Sequence, residues 1–425
     1  MRETKTEKYI KDLRNTMVKV FGRNKRFFQG WFEKMEPMTF ASVLKNPIYN
    51  KRDVLYSLEP PTGFLHRTGQ KNELIMELAP ILMGSAVSCV FVYGVPGTGK
   101  TGLIFDLMKE LEQEADNKEV ELKTAYINCS ENRTETVILI GLLNQLNPER
   151  EYPRMGWTRA KALSEFNNLL EDESKQVLVI LDEVDYVLKE SGDDILYRLS
   201  RINNSVKSKV STLVISNDVR VGDYIKPRTQ SAFGRVKVIF SPYTSDELFD
   251  ILKERAKVAF KPGVITDAVI KKVAEIEAQR NGDARKALEL MDSCAKIAIA
   301  KKRNKITLDL VEEADKNLER DQMLAIVQTL TQHQKLIYLS ILKNEEKVMA
   351  GSDIYRIYLE ECESLNIKPL SERRVRSFLI ELTEMGLIES EVGWLASAKK
   401  KTRKISLNLD KAVKNKAIKL IRDSI

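Results

Sequence analysis

One strand, turn and helix pattern constrains the fold of this chain more than any other feature. Residues 89–101 read CVFVYGVPGTGKT, and the apolar run at their start predicts a buried strand. The apolar spacing of TGLIFDLMKELEQEA, which begins at the last of these residues, predicts a helix. Between the two, residues 94–101 match G-x-x-x-x-G-K-[ST] in full. The pattern predicts a phosphate cradle, because backbone N–H groups and the helix N-terminus both face the anion.

Each residue of this turn has an expected role in binding a nucleotide. The glycines let backbone N–H groups converge on the phosphates, Lys100 reaches the β- and γ-phosphates, and the Thr101 hydroxyl ligates Mg²⁺. The residues expected to contact the nucleotide are Gly94, Val95, Pro96, Gly97, Thr98, Gly99, Lys100 and Thr101. The sequence therefore predicts ATP or ADP as ligand, together with Mg²⁺.

A second motif, QVLVILDEVD at residues 176–185, supplies the acidic half of the site. Its apolar run predicts a buried strand that delivers Asp182 to the metal at its carboxyl end. Glu183 is expected to polarise the attacking water, a base that many small-molecule kinases lack. We expect Asp185 to be a helix cap or a surface charge.

The surrounding sequence predicts an α/β domain with a parallel five-stranded sheet. The candidate strands CVFVY, KTAYIN, QVLVIL, VSTLVIS and VKVIF alternate with amphipathic stretches. From Tyr243 onward, successive segments carry apolar residues at helical spacing, and Thr244 with Glu247 forms a capping-box pattern. These segments predict an all-helical domain.

A third pattern follows at about residue 319, where three helical segments precede two short strand-like segments. This order predicts a winged helix-turn-helix. In its third helix, Val375, Phe378, Leu379, Leu382 and Met385 fall on one stripe, and Gly386 is the expected C-cap. The predicted domains are a basic N-terminal extension (1–60), a nucleotide-binding domain (61–242), a helical lid (243–318) and a winged helix (319–425).

The two nucleotide motifs, YGVPGTGKT and LDEVD, resemble those of the AAA+ ATPase superfamily. The resemblance implies further catalytic residues. Asn217 in LVISND would be the first sensor, and Arg285 in GDARKALEL would contact the γ-phosphate from the lid. Arg228 in KPRTQSAF, or less clearly Arg235, would be an arginine finger that acts on a neighbouring subunit.

The sequence around this core narrows the resemblance to archaeal initiators of the origin-recognition and cell-division-cycle type. GFLHRTGQKNELIMELAPIL is similar to the stretch that closes over adenine in that family, which would place His66 and Arg67 at the base. The family usually continues with an acidic residue, and here Thr68 follows. The resemblance implies a slow ATPase that binds double-stranded origin DNA and helps recruit or load the replicative minichromosome maintenance helicase. Paralogous initiator subunits are further expected partners.

The expected DNA contacts are basic residues of the winged helix and of the ATPase domain. Helix SERRVRSFLIELTEMG places arginines opposite its apolar stripe, and KKKTRK is expected to concentrate cations at the wing tip. The family also inserts a DNA-contacting helix, which the resemblance places within about residues 132–170. The predicted contacts are Arg373, Arg374, Arg376, Lys399, Lys400, Lys401, Arg403, Lys404, Arg154 and Arg159.

Composition is consistent with a cytoplasmic protein that has an anionic partner. The chain of 425 residues has a net charge of +8, and its N-terminus lacks the apolar core of a signal peptide. Four scattered cysteines with only two histidines predict neither a zinc site nor a disulfide framework. No run is long and apolar enough for a membrane span.

Two other functions remain open from the sequence. One is a fast oligomeric motor or loader related to clamp loaders, against which the terminal winged helix argues. The other is a DNA-binding regulator with a static nucleotide, against which Glu183 and Asn217 argue, since a static site has no need to position water. A metabolic kinase is disfavoured by the arginine-rich helix.

Overall fold

The computed structural model describes residues 48–153, 155–172, 175–232, 236–344, 348–395, 400–407, 409 and 411–425. The expected basic extension up to residue 47, the possible DNA contacts Arg154 and Lys399, and Arg235 lie outside the described residues.

The predicted five-stranded parallel sheet is confirmed. Its strands are β1 (Val90–Tyr93), β2 (Leu122–Asn128), β3 (Gln176–Asp182), β4 (Lys209–Ser216) and β5 (Val236–Ile239). They pair in the order β2-β3-β4-β1-β5, and each pairing is parallel. Every residue of β3 is buried, as expected for a central strand that is covered on both faces. The carboxyl ends of β1, β3 and β4 therefore meet at one edge of the sheet.

Helices cover both faces of this sheet. They are α1 (Thr68–Leu78), α2 (Lys100–Asn117), α3 (Glu135–Leu146), α4 (Arg159–Asp172), α5 (Asp185–Ser191), α6 (Asp194–Arg201) and α7 (Pro227–Ala232). Apolar residues of α1 and α2 share one core with the sheet, and apolar residues of α3 to α6 share the other. The alternation of strand and helix that the sequence predicts thus produces a three-layer α/β unit.

The helical segment after β5 forms a lid with its own apolar core. It contains α8 (Ser245–Ala259), α9 (Asp267–Arg280), α10 (Ala284–Ala300) and the start of α11 (Leu308–Thr329). The capping box predicted at Thr244 and Glu247 is present. Ile48 and Leu55, from the chain that precedes the α/β unit, are buried in the same core. The lid therefore packs against a segment distant in sequence.

The predicted winged helix is also confirmed. It contains α12 (Gln332–Lys343), β6 (Val348–Ala350), α13 (Gly351–Ser364), α14 (Glu372–Glu384), β7 (Glu389–Leu395), β8 (Lys400–Ser406) and α15 (Lys411–Arg422). The strands form an antiparallel sheet in the order β6-β8-β7. Helix α11 is continuous across residues 318 and 319, where the sequence suggested a boundary.

The stripe predicted on α14 is correct except at its last position. Four of its five residues are buried, whereas Met385 is 40% exposed because it is already the C-cap of the helix. Gly386 follows with φ of +72°, and the Leu387 N–H donates to the Leu382 carbonyl at 3.0 Å. The helix therefore ends at a glycine, but its C-cap is Met385, one residue before the predicted Gly386.

No helix in the described part of the chain is long and apolar enough to cross a membrane.

Candidate functional site

A cavity of about 310 Å³ lies at the carboxyl ends of β1, β3 and β4, beneath the lid. Its walls bring together residues that the sequence placed in separate motifs. They include Gly97, Gly99, Lys100, Thr101, Glu183, Asn217 and Arg285. Ligands of open α/β sheets bind at this edge, so the cavity is the candidate nucleotide site.

The glycine-rich turn between β1 and α2 requires its glycines for space as well as for conformation. A Cβ at Gly94 would lie 2.1 Å from the carbonyl oxygen of Phe240, the residue that follows β5. Gly97 and Gly99 have φ of +72° and +88°, which L side chains rarely adopt. The turn therefore presents bare backbone to the cavity.

Lys100 is buried at the base of this turn. Its Nζ donates to the carbonyl oxygens of Gly94 at 2.7 Å and Val95 at 2.8 Å. Burial lowers the pKa of Lys100 to about 8, although the nearby carboxylate of Asp182 opposes that shift. Burial therefore destabilises the charged form of Lys100, and a bound anion would stabilise it.

Asp182 and Thr101 meet at the end of β3. Thr101 Oγ1 donates to Asp182 Oδ2 at 2.8 Å, and the hydroxyl of Tyr126 donates to the same oxygen at 2.8 Å. Burial raises the pKa of Asp182, and the two hydroxyl donors partly offset this effect. Mg²⁺ prefers oxygen ligands, so the oxygens of this pair fit a magnesium site.

Glu183 and Asn217 lie side by side at the ends of β3 and β4. Asn217 Nδ2 donates to Glu183 Oε1 at 3.2 Å. Glu183 has φ of +54°, a left-handed conformation that is unusual for this residue and occurs often at functional sites. The Glu183 carboxylate at the end of β3 therefore lies beside the Asn217 side-chain amide at the end of β4.

Asp185 is a buried residue, contrary to the expectation of a surface charge. Its Oδ1 accepts hydrogen bonds from Ser216 Oγ at 3.1 Å and from the Asn217 N–H at 3.2 Å. Hydrogen bonds from these two donors at the end of β4 compensate for burial of the carboxylate. Asp185 therefore fixes the backbone that carries Asn217.

The lid reaches the glycine-rich turn through the N-terminus of α10. Asp283 caps this helix by accepting from the N–H groups of Arg285 and Lys286, and the Ala284 N–H donates to the Gly97 carbonyl at 3.1 Å. A Cβ on Gly97 would lie 1.6 Å from Asp283 Oδ1. Arg285, the second residue of α10, lines the same cavity as Lys100.

His66 and Arg67 lie close to the site without lining the cavity. His66 Nε2 is 2.9 Å from Asp250 Oδ2 on the lid. Arg67 is buried, donates to the carbonyls of Thr98 and Ser241, and has its guanidinium 3.8 Å from the ring centre of Tyr243. Arg67 thus links the glycine-rich turn, through Thr98, to the segment that follows β5, through Ser241.

Another wall of the cavity comes from residues 55–65, which include Leu58, Pro60 and Phe64. A Cβ on Gly102 would lie 2.7 Å from the Phe64 ring, so this segment packs directly on α2. The chain just before this segment is anchored to the lid. Asp292 of α10 accepts hydrogen bonds there from Tyr49, Arg52 and Tyr56. Burial alone would raise the pKa of Asp292, but these donors and Lys296 hold it well below its usual value.

Comparisons with known proteins decide the family. The chain matches an AAA domain over residues 85–220, the Cdc6 AAA+ ATPase-type lid domain over 249–316 and the CDC6 C-terminal winged helix domain over 325–417. It is 36% identical over 351 residues to an ORC1-type DNA replication protein of Thermococcus onnurineus, covering 81% of this chain and 85% of the relative.

The chain belongs to the ORC1-type DNA replication protein family. A Sulfolobus acidocaldarius ORC1-type DNA replication protein 1 is 36% identical over 382 residues, covering 89% of this chain and 95% of that protein. The solved structure of the Aeropyrum pernix ORC1 protein in complex with DNA matches with a TM-score of 0.74 and 30% identity, over 89% of this chain and all of that one. The resemblance to archaeal initiators is thus confirmed, and the α/β unit with its lid is an AAA+ ATPase-type module.

Two arginines that the family resemblance assigned to different ligands share one carboxylate in this ORC1-type chain. Arg228 Nη2 donates to Asp194 Oδ1 at 3.0 Å, and Arg159 Nη2 donates to Asp194 Oδ2 at 3.3 Å. Arg159 also pairs with Glu135. Neither arginine lines the nucleotide cavity of this subunit.

The winged helix of this chain carries cations on two elements, α14 and β8. Arg373, Arg374 and Arg376 are exposed in the first turns of α14, where Arg376 pairs with Glu372. Residues 400–404 lie in strand β8 and not at the wing tip. The side chains of Arg403 and Lys404 lie on opposite faces of the hairpin, because successive residues of a strand alternate. Arg403 lies opposite Val392 and Lys404 opposite Glu391.

Sequence reasoning missed several residues that shape the nucleotide site. Asp283 had a local signal, because an aspartate immediately before a helical segment is a typical N-cap. Tyr126, Phe64 and Tyr243 had none, since their partners at the site are distant in sequence and only folding brings them together.

Proposed function

We propose that this chain is an ATP-dependent DNA replication initiator that binds double-stranded origin DNA and helps recruit or load the replicative minichromosome maintenance helicase. ATP binding and slow hydrolysis would act as the switch. The observation that carries this proposal is one cavity built jointly by the sheet and the lid, in a chain that ends in a winged helix. A nucleotide in that cavity would contact both parts at once.

The cradle and the lid would hold the phosphates. Lys100 Nζ would exchange its two backbone carbonyl partners for phosphate oxygens, and the exposed N–H groups of the turn would face the same anion. Arg285 would add charge from the lid side of the cavity. The base would lie against Leu58, Pro60 and Phe64. His66 and Arg67 would act indirectly, His66 through Asp250 of the lid and Arg67 through the Thr98 carbonyl of the turn.

Hydrolysis would use the neighbouring ends of β3 and β4. Thr101 and Asp182 would hold Mg²⁺, which when bound neutralises charge that develops on the phosphates. Glu183 would accept a proton from the attacking water, and Asn217, bonded to that carboxylate, would orient it. Arg228, outside the cavity, would serve as an arginine finger only for a neighbouring subunit.

The winged helix would bind the duplex. Support comes from the Aeropyrum pernix ORC1 protein, solved in complex with DNA, and from the exposed arginines in the first turns of α14. On the hairpin, Val392 and Trp394 are exposed on the face that carries Arg403. Apolar side chains beside cations suit the minor groove, so we expect this face to contact DNA.

The reaction is tested with Glu183→Gln in the full chain. We expect nucleotide binding within about threefold of the unaltered protein and turnover lower by about a hundredfold or more, because the amide keeps the shape and loses the base. Equilibrium titration with a fluorescent ATP analogue and a phosphate-release assay measure the two quantities. Glu190→Gln, on the exterior of α5, is the matched control. Normal turnover in Glu183→Gln would remove this residue from the mechanism.

A further inference from the structure

Residues 48–56 pack on the lid and share its apolar core. Tyr49 forms an antiparallel backbone bridge with Phe260, the C-cap of α8, and the two rings stack with their centres 5.5 Å apart. Arg255 of α8 donates a hydrogen bond to the Val54 carbonyl. This segment therefore belongs to the lid in space, although the α/β unit separates it from the lid in the sequence.

One buried carboxylate anchors the segment to the lid. Asp292 of α10 is fully buried, and Arg52 binds it with two hydrogen bonds of 2.9 Å, from Nε to Oδ1 and from Nη2 to Oδ2. The hydroxyls of Tyr49 and Tyr56 donate to the same two oxygens. A bidentate arginine–carboxylate pair is a strong and directional contact. Detaching the segment would leave a buried carboxylate without this pair, so the lid and the segment should move together.

The chain that follows crosses from the lid to the α/β unit. Residues 55–65 line the nucleotide cavity, and the Phe64 ring lies against Gly102 of α2. Glu59 pairs with Lys109, two turns further along α2. Both partners of this pair are exposed, and exposed ion pairs contribute little to stability. The attachment to α2 is therefore weaker than the attachment to the lid.

We infer that the lid and residues 48–58 open as one unit, and that Asp292 is a positioning residue that sets how fast nucleotide leaves the cavity. Nucleotide leaves when this unit separates from α2. The cavity wall, Arg285 and the N-terminus of α10, which contacts Gly97, then withdraw together. Release steps of this kind limit turnover in many enzymes. The inference rests on the nucleotide binding proposed above and adds to it the route and the control of release.

A cross-link between the segment and α2 tests the route of release. Glu59→Cys and Lys109→Cys are introduced into the full chain, loaded with a fluorescent ADP analogue and joined by a short bismaleimide. The four native cysteines are buried and do not compete for the reagent. After addition of excess ADP, we expect the analogue to leave about tenfold or more slowly than from the Glu59→Cys single variant treated in the same way, because the unit cannot separate from α2. Equal rates would overturn the inference.

Variants of Arg52 test the role of Asp292. In Arg52→Ala we expect release to be about tenfold faster and the association rate to stay within about threefold, because charged hydrogen bonds that hold the cavity wall are lost. Arg52→Lys keeps the charge with a single point of attachment, so its release rate should lie between the two. Arg303→Ala removes an exposed lid arginine that pairs with Asp309, and this control should release at the unaltered rate.

Combining the two changes separates positioning from a structural role. In the cross-linked chain, Arg52→Ala should restore release, because the lid can then open without the segment. A loss of stability alone would not depend on the cross-link in this way. Unchanged release in Arg52→Ala, with and without the cross-link, would overturn the role of Asp292. Failure of the unaltered chain to bind the ADP analogue would contradict the proposed function, and with it this inference.

Discussion

Lys100 shows how one buried residue sets a pH range for the whole site. Burial lowers its pKa from 10.5 to about 8, whereas bound phosphates would favour the charged form. Binding above this pKa must therefore take up a proton. ATP affinity should be constant below the pKa and fall at higher pH, by up to about tenfold per pH unit.

Calorimetry one unit below and one unit above this pKa, in two buffers of different ionisation enthalpy, measures the proton uptake. Lys100→Arg is the matched variant, because a guanidinium stays protonated over this range. Its affinity is expected to be weaker and independent of pH. A pH-independent affinity in the unaltered chain would contradict the account of Lys100.

The sequence predicted the residues whose chemistry depends on local spacing. Residues 94–101 and 182–183 stand at motif positions, and five of them, Gly97, Gly99, Lys100, Thr101 and Glu183, line one cavity. Asp182 joins them through its hydrogen bond with Thr101. Asp185 was misread because burial of a carboxylate depends on donors at the end of another strand. Asp292 was not singled out at all, since its partners Tyr49, Arg52 and Tyr56 lie more than two hundred residues away.

The contact between the glycine-rich turn and the N-terminus of α10 can be broken by one methyl group. In Gly97→Ala the new Cβ would overlap the carboxylate of Asp283, which caps the lid helix. We expect ATP affinity to fall by about tenfold or more, as the lid must move away, in addition to about 1 kcal/mol of strain from the positive φ. Equilibrium binding and thermal melting measure these effects.

Gly263→Ala is the control for that experiment. Gly263 also has a positive φ, of +76°, but a Cβ there would meet nothing within 4 Å. It carries the same conformational strain without a clash, so it should lower stability and leave ATP affinity unchanged. Equal losses of affinity in the two variants would show that strain, and not the lid contact, is responsible.

The DNA contact proposed for Arg403 on strand β8 has a measurable signature. Arg403→Ala should weaken binding to all duplexes and reduce the slope of log affinity against log salt by about one. Glu391→Ala, on the other face of the hairpin, should not weaken binding, because it removes a negative charge. Fluorescence anisotropy at several salt concentrations tests both, and an unchanged slope in Arg403→Ala would exclude this strand from the interface.

At the scale of elements, strongly patterned segments were predictable and weakly patterned ones were not. The five strands of the parallel sheet were predicted directly from their apolar runs. Strand β6 has only three residues and pairs with β8, so its own sequence carries no comparable pattern. Helix α15 was missed although Val413, Ala417 and Ile421 are buried at a spacing of four. Its lysines obscure the apolar stripe when the sequence is read alone.

Helix α11 connects the core of the lid with the core of the winged helix. Its start, with Leu310 and Ala314, is buried in the lid core, and Val327 near its end is buried in the winged-helix core. Its 22 residues span about 33 Å without interruption. A lid that moves with the nucleotide would therefore carry the winged helix with it.

Breaking α11 between the two cores should leave DNA binding intact and remove its dependence on ATP. Asp321→Pro, at an exposed position, removes a helical hydrogen bond and kinks the helix. We expect ATP binding and DNA binding to persist while the effect of ATP on DNA affinity is lost. Asp321→Ala keeps the helix and should behave like the unaltered chain. Retention of the ATP effect in the proline variant would show that coupling takes another path.

The most direct test of the account is duplex affinity of the full chain with ATP and without nucleotide, at about 0.15 M salt, near physiological ionic strength. The account predicts that the chain binds duplex DNA and that ATP changes the affinity by about fivefold or more, as typical couplings do. Failure to bind, or one affinity in both conditions, would contradict it.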